Sequence, residues 1–133
     1  MQVKPRKEDL QIMKYLYLLT TEENVSNKIE KALAQGGEVM VYTYTDSLDL
    51  IDHFLHRFAP LVILDIDLVK EDVIKLMQII RSIRKDVKFL LILSVENMHV
   101  CSAALAQGVV SYQIKPLSIE NLIHVIHSTL NHS

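Results

Sequence analysis

Leu61-Val62-Ile63-Leu64-Asp65 is a run of four aliphatic residues that stops on a carboxylate, with Pro60 in front of it and Ile66-Asp67-Leu68 behind. A run this short and this uniformly apolar reads as a strand covered on both faces, because a strand with one wet face would alternate. Two further runs repeat the arrangement. Phe89-Leu90-Leu91-Ile92-Leu93 stops on Ser94, and Tyr112-Gln113-Ile114 stops on Lys115-Pro116. A carboxylate, a hydroxyl and an ammonium at successive strand ends point to one shared site, since ligands of open α/β sheets bind just outside the carboxyl ends of the strands.

Helical patterns fill the spaces between the strands. Tyr15 to Leu19 reads as a first strand, followed by Val25, Ile29, Ala32 and Leu33 at helical spacing and a stop at Gly36-Gly37. Val39 to Tyr44 reads as a second strand. Asp46 or Ser47 then caps a helix whose expected inner face is Leu48, Ile51 and Leu55, with Phe54 and Phe58 nearby. A third helix follows Asp72, with Leu76, Met77, Ile80 and Ile83 inward. A fourth carries Val100, Ala103, Ala104 and Leu105 up to Gly108. Ser118 caps a fifth, with Leu122, Val125, Ile126 and Leu130 inward. Five strand–helix alternations joined by right-handed crossovers predict an α/β domain over residues 14–133: a doubly wound, five-stranded parallel sheet in the flavodoxin-like order 2-1-3-4-5, with five helices. Residues 1–13 read as an N-terminal extension or linker.

The bulk numbers agree with one globular domain: 133 residues, 50% hydrophobic and 23% charged. A formal net charge of −2 gives no electrostatic case for nucleic acid, and the cluster Arg81, Arg84, Lys85 and Lys88 reads as a solvated face. The single Cys101 excludes an internal disulfide framework. Among Val100, Ala103 and Ala104 it reads as a buried structural thiol, and a cytoplasmic location is expected. No apolar stretch approaches the ~20 residues of a membrane span, and MQVKPRKEDLQIMK lacks the apolar core of a signal peptide. His53 with His56, and His124 with His127, are spaced to share helix faces. With no carboxylate or thiol partner evident, they read as solvated rather than metal-binding.

The ordered strand ends resemble the receiver domain of bacterial response regulators, the CheY-like fold, over about residues 14–130. Asp65 matches the residue phosphorylated in that family, within Asp65-Ile66-Asp67-Leu68; Val69 stands where a proline is usual. Ser94 matches the Ser/Thr switch, Tyr112 the aromatic switch, and Lys115-Pro116 the Lys-Pro after the fifth strand. The resemblance implies a phosphorelay module that receives a phosphoryl group on Asp65 from a histidine kinase and is not otherwise an enzyme. Lys115 would neutralise the phosphoryl charge and Ser94 would hydrogen-bond it. It also implies Mg²⁺, held by Asp65 and the backbone carbonyl of Asp67.

The chain departs from the family at the end of the first strand. Thr20-Thr21 occupies the place of the family's acidic pair, and Glu22 and Glu23 come one and two residues later. Neutral hydroxyls are weak substitutes for metal-binding carboxylates, so Glu22 or Glu23 would have to reach in, directly or through water, to complete the site. The alternative is therefore a pseudo-receiver that does not use phosphate. It would bind a protein partner, or a second copy, through the surface of the fourth helix, fifth strand and fifth helix, around Met98, His99, Tyr112 and His124. A third reading, a flavin site built on Thr20, Thr21 and Ser26, lacks the glycine that lets backbone amides approach a phosphate. It also leaves Lys115-Pro116 without a role.

Overall fold

The structure, a computed structural model, describes residues 13–131. Five parallel strands, β1 (Lys14–Leu19), β2 (Val39–Tyr44), β3 (Leu61–Asp65), β4 (Lys88–Leu93) and β5 (Ser111–Ile114), form one sheet in the order β2-β1-β3-β4-β5. Every residue of β3 is buried, whereas the edge strands β2 and β5 are half exposed. That division follows the residues: the central strands are apolar except at their ends, Lys14, Asp65 and Lys88, and the edges carry Thr43, Ser111 and Gln113.

Five helices flank the sheet: α1 (Glu23–Ala34), α2 (Ser47–His56), α3 (Val73–Ile83), α4 (Met98–Leu105) and α5 (Ile119–Asn131). The cores on the two faces are distinct. Val25, Ile29 and Leu33 of α1 join Leu122, Ile126 and Leu130 of α5 against Leu16, Leu18, Leu61 and Ile63. Residues of α2, α3 and α4 cover the opposite face, against Tyr17, Leu19, Val62, Leu64, Phe89 and Leu91. Among the described residues, no helix is long and apolar enough to cross a membrane.

Two helix faces differ from the sequence expectation. In α2, Leu50 and Phe54 point inward while Leu48 is 72% and Leu55 59% exposed. The expected Leu48–Ile51–Leu55 stripe has Asp52 in its middle, one turn from both leucines. Turning the helix to bury Leu50 and Phe54 leaves that carboxylate in water and brings Phe54 edge-on to Tyr17 and Phe58, with centroids 6.1 and 5.8 Å away. In α4, Val100, Cys101 and Ala104 are buried, whereas Ala103 and Leu105 are exposed. The spacing 97, 100, 101, 104 carries the buried stripe and begins on a polar residue, Asn97, itself buried. Burial of Cys101 raises its thiol pKa, which suits a structural thiol rather than a nucleophile.

Candidate functional site

Register builds the site. Leu19 lies beside Leu64, so the next residues, Thr20 and Asp65, are neighbours at the crevice where strand order reverses. Leu93 lies beside Ile114, which sets Ser94 next to Lys115. The Lys115–Pro116 peptide is cis.

Asp65 is 1% exposed. Its Oδ2 accepts hydrogen bonds from Thr20 Oγ1 at 2.7 Å and Lys115 Nζ at 2.8 Å. Its Oδ1 accepts from the Asp67 amide and from Lys115 Nζ, both at 3.0 Å. Asp65 thus caps the helical turn Ile66–Val69 and faces the site at once. Lys115 Nζ also meets Glu22 Oε1 at 2.7 Å and Asp67 Oδ2 at 2.9 Å, so three carboxylates share one ammonium. Burial opposes the lysine's charge, but hydrogen bonds to Asp65, Glu22 and Asp67 outweigh it and raise its pKa above the ordinary value.

Asp67 has the densest set of partners. Its carboxylate accepts from the Ser94 amide (2.9 Å to Oδ1), Ser94 Oγ (2.6 Å), Asn97 Nδ2 (2.6 Å) and Lys115 Nζ (2.9 Å). Burial alone would raise its pKa. The Ser94 hydroxyl and amide, Lys115 and Asn97 reverse that and hold the carboxyl well below the usual carboxylate range. A carboxyl that binds its proton less tightly folded than unfolded stabilises the fold above pH ~4, and that contribution is lost as the pH falls further. Asp67→Asn should therefore give a shallower acid limb than the native chain in urea unfolding between pH ~5 and pH ~2; equal slopes would contradict this.

The structure brings together Asp65, Ser94, Lys115, Thr20 and Glu22. Thr21 is exposed and outside the cluster. Glu22 does reach in, but it meets the lysine. Tyr112 is exposed on β5. The sequence reading assigned Asp67 only a backbone carbonyl and missed Asn97 altogether. A buried asparagine at the head of the Val100–Cys101–Ala104 stripe, three residues past Ser94, was the available signal.

These side chains do not fit a divalent cation. Among the described residues, no three His, Cys, Asp or Glu side chains are placed to hold a metal. Where Glu22, Asp65 and Asp67 converge, the positive charge is the lysine's own. The flavin reading fares no better. Thr20 donates to Asp65 and Ser26 to the Glu23 carbonyl, and Glu22 beside the loop would repel a phosphate. The histidines of α2 are used separately, His53 on the Tyr44 hydroxyl and His56 on the Asp52 carbonyl. Arg81 and Arg84 stack on Phe89 and Phe58. Larger hollows, of about 340 and 520 Å³, are lined by none of Asp65, Asp67, Ser94 or Lys115; a cavity of about 100 Å³ adjoins Glu22 and Lys115.

No protein-family model and no curated protein matches the sequence. Solved structures do match. A response regulator from Thermotoga maritima superposes with a TM-score of 0.79 at 15% identity, covering 90% of this chain and 98% of that one. The receiver domain of the TMAO respiratory system response regulator TorR gives 0.79 at 20% identity over 90% and 98%. A two-component response regulator from Clostridium difficile gives 0.78 at 19% over 90% and 97%. Sheet order, helix placement and these superpositions agree that the chain has the fold of response-regulator receiver domains.

Proposed function

We propose that this chain is a receiver-fold module of two-component signalling that acts as a protein-interaction domain without a phosphorylation step at Asp65. The observation that carries this reading is the closed ion cluster at the strand ends. Phosphoryl transfer to a carboxylate depends on neutralising the charge of the transferring group. Here the ammonium suited to that work has all three of its protons directed at carboxylates, and Thr20 adds no charge. An incoming phosphoryl group would meet Glu22, Asp65 and Asp67 with a single cation among them.

A protein partner, or a second copy of the chain, would dock on the surface of α4, β5 and α5. Leu105, Tyr112 and Ile114 are exposed apolar residues there, and His99 and His124 are exposed beside them. The competing reading is a phosphorelay receiver, phosphorylated on Asp65 by a histidine kinase with Mg²⁺. Convergence of Asp65, Ser94 and Lys115 favours it.

Beryllofluoride, which mimics an acyl phosphate, separates the two when added with and without millimolar Mg²⁺ and followed by amide NMR. The interaction module should show no Mg²⁺-dependent shifts at Asp65, Ser94 or Lys115. Shifts that need Mg²⁺ and disappear in Asp65→Asn would overturn it in favour of the phosphorelay.

A further inference from the structure

We propose that the Asp67 carboxylate is a built-in surrogate for a phosphoryl group, holding Ser94 and the head of α4 in a ligated arrangement without any modification. The inference rests on the phosphate-independent reading above and names the device behind it.

A tetrahedral oxyanion carried by Asp65 would reach beyond the donors that already hold its carboxylate, Thr20 Oγ1, the Asp67 amide and Lys115 Nζ, toward the end of β4. The donors waiting there are Ser94 Oγ and Ser94 N, and both, with Lys115 Nζ, are directed at Asp67. Asn97 Nδ2 adds a fourth donor at 2.6 Å. An ionised carboxylate has about four lone-pair sites. Four donors therefore saturate it, and an external oxyanion would have to displace Asp67 to gain them.

The contacts also have direction. Asp67 lies just past β3, Ser94 ends β4 and Asn97 precedes the first residue of α4. One carboxylate thus ties the end of the central strand to the next strand and to the helix on the docking surface. Charge-assisted hydrogen bonds are the stronger kind, and the Asn97 end of the tie is buried. Asp67 is part of the chain itself, so the tie is permanent, whereas a phosphoryl group comes and goes.

The test uses the full chain, with Asp67→Ala, the isosteric Asp67→Asn, and sulfate as the oxyanion probe in the absence of Mg²⁺. Loss of the charged acceptor should speed amide hydrogen exchange at Ser94 by roughly tenfold or more. The Ser94 and Asn97 resonances should shift in both variants. Millimolar sulfate should slow the exchange again in Asp67→Ala and leave the native chain unaffected. Unchanged exchange and shifts in both variants would overturn the proposal. So would a sulfate response in the native chain equal to that of Asp67→Ala. If Asp67→Ala does not fold, shifts and exchange in Asp67→Asn decide the matter alone. Beryllofluoride with Mg²⁺ on the native chain tests the phosphate-independent reading separately. A response there, together with sulfate rescue of Asp67→Ala, would retire that reading and leave Asp67 as the resting-state surrogate.

Discussion

Lys115→Met should cost roughly 3 kcal/mol of folding stability, the largest single loss at the site. The lysine side chain is 12% exposed and the Asp65 side chain 2%, so the pair has little water to fall back on. Removing the ammonium leaves the Asp65 and Asp67 carboxylates facing each other with no cation between them. Like charges in a poorly solvated site raise each other's pKa, so one carboxyl will take up a proton more readily. The deficit should therefore shrink as the pH is lowered from 7 toward 5, measured by urea unfolding. Asp65→Asn added to Lys115→Met should recover part of the loss, because the two residues act as a pair and their effects do not add. Millimolar Mg²⁺ should raise the melting temperature of Lys115→Met and leave the native chain unchanged, since a freed carboxylate cluster can bind a cation that the lysine otherwise replaces. Native-like stability in Lys115→Met would reduce Lys115 to an ordinary loop lysine.

Leu50→Ala should cost about 2–5 kcal/mol and Leu48→Ala less than about 0.5 kcal/mol, although the residues are two apart on one helix. Leu50 is fully buried against the sheet, and its truncation leaves a cavity among Tyr17, Phe54 and their neighbours that close packing cannot refill. Leu48 is in water before and after substitution. Chemical denaturation of the two variants tests which face of α2 is buried. Equal losses would mean that the helix is turned toward the Leu48 stripe.

That contrast marks where sequence reading succeeds and where it stops. Residues 47–58 carry two overlapping apolar stripes at helical spacing, and periodicity alone does not rank them. Asp52 inside one stripe was a usable clue. The packing partners Tyr17 and Phe58 were not, because they come from another strand and from beyond the helix end.

The strands behave differently. Their apolar runs are local, a parallel sheet admits few arrangements, and crossover handedness removes most of those. Strand order, the switch point and the meeting of Asp65, Ser94 and Lys115 were therefore legible from residues alone.

The direction of the Asp67 side chain was decided by tertiary structure. Alternation along a strand places residues up to Asp65, but Asp67 sits in a helical turn, where the strand's period no longer applies. Its carboxylate went to donors 27, 30 and 48 positions later in the chain. Amino-acid order determined that a carboxylate, a hydroxyl and an ammonium would share one corner of the sheet. Long-range packing alone decided that a second carboxylate would reach the hydroxyl there, because buried donors take the nearest strong acceptor that the folded chain presents.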